Sequence, residues 1–133
     1  MRSLVLLAFV LSACVAGASS FGGAAELRLQ PLSDEEIAEE IEGHAIIITR
    51  ARETRRPIIS ERYCDGRIVI VGTRIPMYGA YEIRDGLLCH RFDEGGQECA
   101  RVLRSANGAL YRQWVSNSDA APVQMDIIEM ECD

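Results

Sequence analysis

Lysine is absent from this chain. All 14 basic residues are arginine, a bias that fits a GC-rich coding sequence and carries no function by itself. They face 20 acidic residues, for a formal net charge of −6. A protein that binds nucleic acid over its whole surface needs a basic balance, so nucleic acid is not an expected partner. Histidine is scarce: there are two, His44 and His90. Neither stands at a metal-ligand interval, and the spacings C-x24-C, C-x9-C and C-x32-C do not resemble zinc knuckles. No G-x-S-x-G, H-E-x-x-H or P-loop occurs. Carboxylates are plentiful, but the acidic run Asp34–Glu42 reads as a solvated helix surface and not as a catalytic pair. The expectation is a protein without cofactor, without metal and without enzymatic activity.

Long apolar runs are also missing. The stretch Leu4–Leu11 follows one positive charge, Arg2, and precedes small residues. That is the layout of an export signal over residues 1–18, too short to span a bilayer stably. Two processing routes compete. Leu11-Ser12-Ala13-Cys14 has the form of a bacterial lipobox, which would make Cys14 the lipidated first residue of an outer-membrane-anchored lipoprotein. Ala16-Gly17-Ala18 and Gly23-Ala24-Ala25 offer ordinary signal-peptidase sites. A 13-residue signal is short, so ordinary cleavage and a periplasmic location are expected, with a lipid anchor the only route to a membrane. On either route Cys14 is unavailable to the folded domain.

Residues 19–30 read as a lead-in or tether, and residues 31–133 as one domain. Within it, Ser33 is a helix N-cap and Glu36 closes a capping box three residues later. Leu32 and Ile37 form the matching hydrophobic staple. Ile37 and Ile41 share one face, and Gly43 suits the left-handed position after the helix. The spacing predicts a short helix over 34–42.

From Ala45 onward the pattern changes to strands. Segments 45–49, 58–64, 67–73, 77–84, 87–93, 97–104, 109–115 and 122–130 are rich in β-branched and aromatic residues. Asp65-Gly66 and Asp85-Gly86 are two-residue hairpin turns, and Gly-containing loops precede the segments that begin at 97 and 109. The fold expected is α+β: one short N-terminal helix with an antiparallel β-meander that closes into a small barrel or remains a curled sheet.

With Cys14 set aside, Cys64, Cys89, Cys99 and Cys132 remain. In an exported chain of this size they read as two disulfides. A loop of Glu94-Gly95-Gly96 would place Cys89 and Cys99 on one face of a hairpin as diagonal neighbours, about 7 Å apart, near the limit for a bridge. Elimination then pairs Cys64 with Cys132.

The basic segment "RARETRRP" holds Arg50, Arg52, Arg55 and Arg56; between residues 50 and 74, seven arginines face three acids. This local excess could meet an anionic surface or an acidic partner, or be a solvated loop that protects a sheet edge. The few aromatics lie in strands. Alternation sets Leu110, Arg112 and Trp114 on one face and Tyr111 on the other, a pattern of core and barrel lining.

Two resemblances stand on these residues. "LSDEEIAEEIEGHAI", "YCDGRI", "YGAYEIRDGLLCHRF" and "GGQECARV" resemble small secreted proteobacterial proteins of unknown function, which pair a helix with a β-meander. The resemblance implies a non-enzymatic periplasmic domain and supplies no active site; the partner is left open between an envelope protein and an anionic surface. Tyr63-Cys64, "SANGALY" and the near-terminal Cys132 are similar to the C-type lysozyme inhibitors of the bacterial envelope. That likeness implies a small barrel acting through a loop with Ser105, Gly108 and Tyr111. Ala106 stands where that family has Gly, and its downstream Lys-Gly is absent.

Overall fold

The computed structural model describes residues 28–48 and 59–133. The export signal with Cys14, the lead-in up to residue 27, and Arg50, Arg52, Arg55 and Arg56 lie outside the described residues. In chain order the elements are β1 (Leu29–Pro31), α1 (Asp34–Ile41), β2 (His44–Ile48), β3 (Ile59–Cys64), β4 (Arg67–Val71), β5 (Met77–Arg84), β6 (Leu87–Phe92), β7 (Gln97–Ser105), β8 (Leu110–Trp114) and β9 (Val123–Glu129), with a 3-10 turn at Val115–Asn117.

The helix begins where its capping residues dictate. Ser33 N–H donates to Glu36 Oε2 at 2.8 Å, and Glu36 N–H donates to Ser33 Oγ at 3.3 Å. These reciprocal bonds satisfy two backbone donors that a helix start leaves open. Ile37 and Ile41 are fully buried, and Gly43 takes the expected left-handed φ of 74°. The acids of α1 meet one arginine from the sheet: Arg104 contacts Glu40 at 2.8 Å and Glu36 at 3.5 Å.

Strands β2 to β9 pair in antiparallel order, and β8 pairs with both β7 and β9, so the sheet closes into an eight-stranded barrel. Closure removes the open edges that a curled sheet would expose. The lead-in boundary needs correction, because Leu29–Pro31 is a strand. Pairing of β6 with β7 reaches only Arg101, which leaves that edge of β7 open from Val102 onward. β1 occupies it with Leu29 opposite Ser105, and Leu32 N–H donates to the Val102 carbonyl at 2.9 Å. A proline fits here because β1 is an edge strand that need not donate at that position.

The turns explain the register. Asp65 and Gly66 have φ of 49° and 75°, and Asp85 and Gly86 have 54° and 73°. Left-handed conformation at both central residues matches the twist of two-residue hairpins. The β6–β7 loop sits one residue earlier than the sequence suggests: Phe92 N–H donates to Gly96 O and Gly95 N–H to Phe92 O, so the loop residues are Asp93, Glu94 and Gly95 in place of Glu94, Gly95 and Gly96. Consequently Arg91 faces Gln97, not Cys99, and Cys89 sits directly opposite Cys99. Two disulfides form, Cys64–Cys132 and Cys89–Cys99, both on the outer surface of the barrel wall.

Parity along the strands sorts the residues. Ile46, Ile48, Tyr63, Ile68, Ile70, Leu88, Val102, Leu110 and Met125 point inward and form one core with Leu32, Ile37 and Ile41. The helix closes one end of the barrel. Asp34 Oδ1 accepts from Gly86 N–H at 2.6 Å, Gly43 N–H donates to Tyr63 O at 3.0 Å, and both partners lie at the strand ends away from Ile48 and Ile59. No helix among the described residues is long and apolar enough to cross a membrane.

Candidate functional site

The barrel interior is not uniformly apolar. Four inward-facing polar side chains occupy one layer: Glu61 (4% exposed), Tyr63 (0%), His90 (1%) and Arg112 (5%). Glu61 and Tyr63 are two apart on β3, so both point inward; His90 stands at the same parity on β6, and Arg112 between Leu110 and Trp114 on β8. Three strands therefore converge on one cluster that no local sequence window contains.

The bonding follows from the hydrogen inventory of each group. Arg112 Nη1 donates to Glu61 Oε2 at 2.6 Å, and Tyr63 Oη donates to the same oxygen at 2.8 Å. Tyr63 has only one hydrogen, which is then committed. His90 Nε2, 2.8 Å from Tyr63 Oη, must be the donor in that contact. The imidazole is thus the Nε2–H tautomer, and Nδ1 keeps a bare lone pair. Two buried polar atoms have no hydrogen-bond partner among the described residues: His90 Nδ1 and Arg112 Nε. The guanidinium lies over the Trp114 ring, 4.4 Å from its centroid. His90 meets Trp114 edge-on at 5.7 Å between centroids, and Tyr63 meets Tyr81 edge-on at 5.1 Å.

Burial sets the protonation states. It pushes the His90 imidazole down to about 4, with the Arg112 cation adding to the effect and the Glu61 carboxylate opposing it. Burial first, and Glu61 second, hold the Tyr63 hydroxyl well above its usual range. At neutral pH the cluster is an ion pair flanked by a neutral histidine and a neutral tyrosine. Among the described residues no group of three or more His, Cys, Asp or Glu is placed to hold a metal ion.

Glu61 and Arg112 of the cluster line the floor of the barrel end opposite the helix. This mouth encloses about 320 Å³. Each barrel strand contributes to it: Ile48, Ile59, Ile70 and Phe92 line the walls, and Met77, Glu98, Trp114 and Val123 complete the ring. Part of its rim is apolar. Among the described residues the exposed large hydrophobics are Ile75, Met77, Tyr78, Val115, Val123 and Ile128. Met77 and Val123 belong to the ring, Val115 directly follows Trp114, and Ile75 lies in the β4–β5 connection whose Thr73 lines the mouth.

The residues singled out in the sequence fall elsewhere. Ser105, Gly108 and Tyr111 belong to the β7–β8 hairpin at the helix end of the barrel. The Ser105 hydroxyl is turned into its own hairpin: it bonds Asn107 Oδ1 and accepts from Ala109 N–H at 3.1 Å. Ala106, Asn107 and Gly108 are exposed at the tip. Of the arginines that follow the basic segment, Arg67 pairs with Asp93 at 2.7 Å on the outer surface. The disulfide cysteines are structural staples on the outer wall and are not among the described residues that line the mouth. Sequence reading placed Arg112 and Trp114 on one face but did not join them to Glu61, Tyr63 and His90. The usable signal was a charged residue at inward parity, Glu61 between Ile59 and Tyr63, and Arg112 between Leu110 and Trp114.

Comparison with protein-family models, with curated proteins and with solved structures finds no match to this chain. The class to which the geometry points is an antiparallel eight-stranded barrel, capped at one end by a helix and, among the described residues, with a concavity at the other over a buried ion pair.

Proposed function

We infer that this protein is a non-enzymatic binding domain of the bacterial cell envelope, exported to the periplasm, and that its binding face is the barrel mouth. One observation carries the reading: two exposed apolar side chains, Met77 and Val123, stand with Ile48, Ile59 and Ile70 on the lining of a concavity over the Glu61–Arg112 pair. A concavity lined mainly by apolar groups with a few convergent polar ones is the usual form of a binding site. The size of the mouth, about 320 Å³, lies at the lower end of ligand pockets. The two disulfides suit an oxidising compartment, which is where the export signal would send the chain. Inhibition of C-type lysozyme through the 105–111 hairpin draws less support, because the Ser105 hydroxyl is spent inside the turn.

Amide-resolved NMR of the mature protein against a mixed set of small-molecule fragments tests the reading. Shifts are expected to cluster on the strand ends that ring the mouth and to disappear in Val123→Arg, a change at an exposed rim position. Fragment binding confined to the outer barrel wall or to the 105–111 hairpin would sink it, and so would the absence of any bound fragment.

A further inference from the structure

This inference rests on the mouth being the binding face, and it names what the mouth receives. We propose that the mouth binds a small apolar ammonium ion, an alkylamine in its protonated form, whose charge meets Glu98 between Phe92 and Trp114 and whose apolar body lies against the opposite wall.

The two halves of the mouth differ in chemistry. Ile48, Ile59 and Ile70, from β2, β3 and β4, make one wall aliphatic. Opposite them Phe92, Glu98 and Trp114, from β6, β7 and β8, join two aromatic rings to a carboxylate. The register sets Glu98 between those rings. Glu98 pairs with His90, and Ala100 pairs with Trp114, so Phe92 and Trp114 are the diagonal neighbours of Glu98 on the two adjacent strands. His90 meets both rings edge-on, 6.1 Å from Phe92 and 5.7 Å from Trp114 between centroids, and joins them into one aromatic wall.

Glu98 differs from the charges below it. Glu61 and Arg112 are 4% and 5% exposed and neutralise each other at 2.6 Å, so neither is open to a bound molecule. Glu98 shares the inward parity of Ala100 and Val102, which are fully buried, yet it is itself exposed, because it lies at the mouth end of β7. No ion pair among the described residues uses it. Among the described residues that line the mouth, Glu98 therefore carries the one charge open to an incoming molecule. An ammonium gains both that carboxylate and the negative faces of neighbouring rings. A carboxylate head would meet like charge, and a neutral head gains neither. The volume limits the size: at roughly 30 Å³ for each water-sized group, the space holds about ten non-hydrogen atoms.

Trp114 is the only tryptophan in the chain and it lines the aromatic half of the mouth, so its emission reports occupancy directly. The mature, oxidised protein is titrated at neutral pH and low salt with octylammonium, octanamide and octanoate, which share an eight-carbon body and differ in the head. Octylammonium is expected to shift the Trp114 emission saturably and with the lowest dissociation constant, about fivefold below that of octanamide, as one exposed ion pair allows, with octanoate the weakest. Glu98→Gln removes the charge at an exposed position and should bring octylammonium within about twofold of octanamide. Glu98→Arg should make octanoate the tightest of the three. Should either variant fail to fold, the three-head comparison on the wild type and the other variant still decide the matter. Octanamide or octanoate binding as tightly as octylammonium overturns the ammonium assignment while leaving the mouth as the binding face. A preference for octylammonium that survives Glu98→Gln overturns it too, since the cation would then sit elsewhere. No saturable response to any of the three also overturns the proposal, whereas the fragment experiment above separately decides whether the mouth binds anything.

Discussion

Arg112 on β8 and Glu61 on β3 meet across the barrel interior at 2.6 Å, although two other strands, β9 and β2, lie between theirs in the sheet. The contact therefore spans the barrel lumen and ties its opposite walls together through charge, where a barrel of this size would ordinarily use apolar side chains.

A buried ion pair is far more costly to break than to replace. Glu61→Gln leaves the Arg112 cation without a counter-charge and is expected to lower stability by about 3–5 kcal/mol in urea unfolding. Replacing both, as Glu61→Leu with Arg112→Met, removes the uncompensated charge and should recover most of that loss. A double variant less stable than either single one would show that the pair contributes net stability beyond mutual compensation.

Acidification should weaken the fold through His90. Its imidazole protonates near pH 6.5 in the unfolded chain and at about 4 in the folded one, because burial disfavours the cation. Between those values the unfolded state binds more protons, so stability is full above about pH 6.5, falls as the pH drops through that window, and levels off below about 4. The gap corresponds to roughly 3 kcal/mol in all. His90→Gln removes this proton linkage while the carboxylates titrate as before. The difference between the wild-type and variant stability curves should therefore follow the same window; curves that run parallel from pH 4 to 6.5 would refute the assignment.

The disulfides should contribute unequally. Cys64–Cys132 closes a loop with a sequence separation of 68, and Cys89–Cys99 one of 10. On the chain-entropy account their removal costs about 4 and about 3 kcal/mol respectively. Paired alanine variants in guanidinium unfolding measure both. Peptide mapping of the purified, oxidised protein should recover these two links; two or more alkylatable thiols among Cys64, Cys89, Cys99 and Cys132 would contradict the stapled fold.

Gly79 faces inward on β5 opposite Phe92 and Ile68. A Cβ there would lie 2.5 Å from the Arg91 carbonyl oxygen, a backbone atom that cannot swing aside. Gly79→Ala should cost about 1–3 kcal/mol by overpacking. Gly108→Ala offers the contrast: nothing lies near its added carbon, and its cost comes from a φ of 88° alone. A Gly79→Ala protein with an unchanged urea midpoint would mean that β5 and β6 separate easily.

Much of the architecture was legible locally. Ser33, Glu36 and the Ile37/Ile41 pair specify the helix within eight or nine residues, because capping and i,i+4 packing act over one or two turns. The two Asp-Gly turns specify their hairpins, because left-handed φ at both central positions leaves few other conformations. Boundaries moved by a residue or two, as at the helix end, expected at 42 and observed at Ile41. The β6–β7 register was not legible, since two consecutive glycines, at φ of 106° and 96°, let a three-residue loop of the same length sit at either of two neighbouring positions.

The sequence by itself determined the helix, the strands from β2 onward and the turn chemistry, all of which rest on short-range sterics and periodicity; β1 and the direct facing of Cys89 and Cys99 came from the tertiary structure. Closure was decided only by the tertiary structure: β8 could have remained an edge, and its pairing with both β7 and β9 depends on the accumulated twist of eight strands. The same closure brings Glu61, Tyr63, His90 and Arg112 together from positions up to 51 residues apart. Parity told which side of its own strand each residue occupies. Which strand stands across the lumen, and so which acid finds which base, is fixed only when the barrel shuts and the low-dielectric interior makes an unpaired charge too costly to keep.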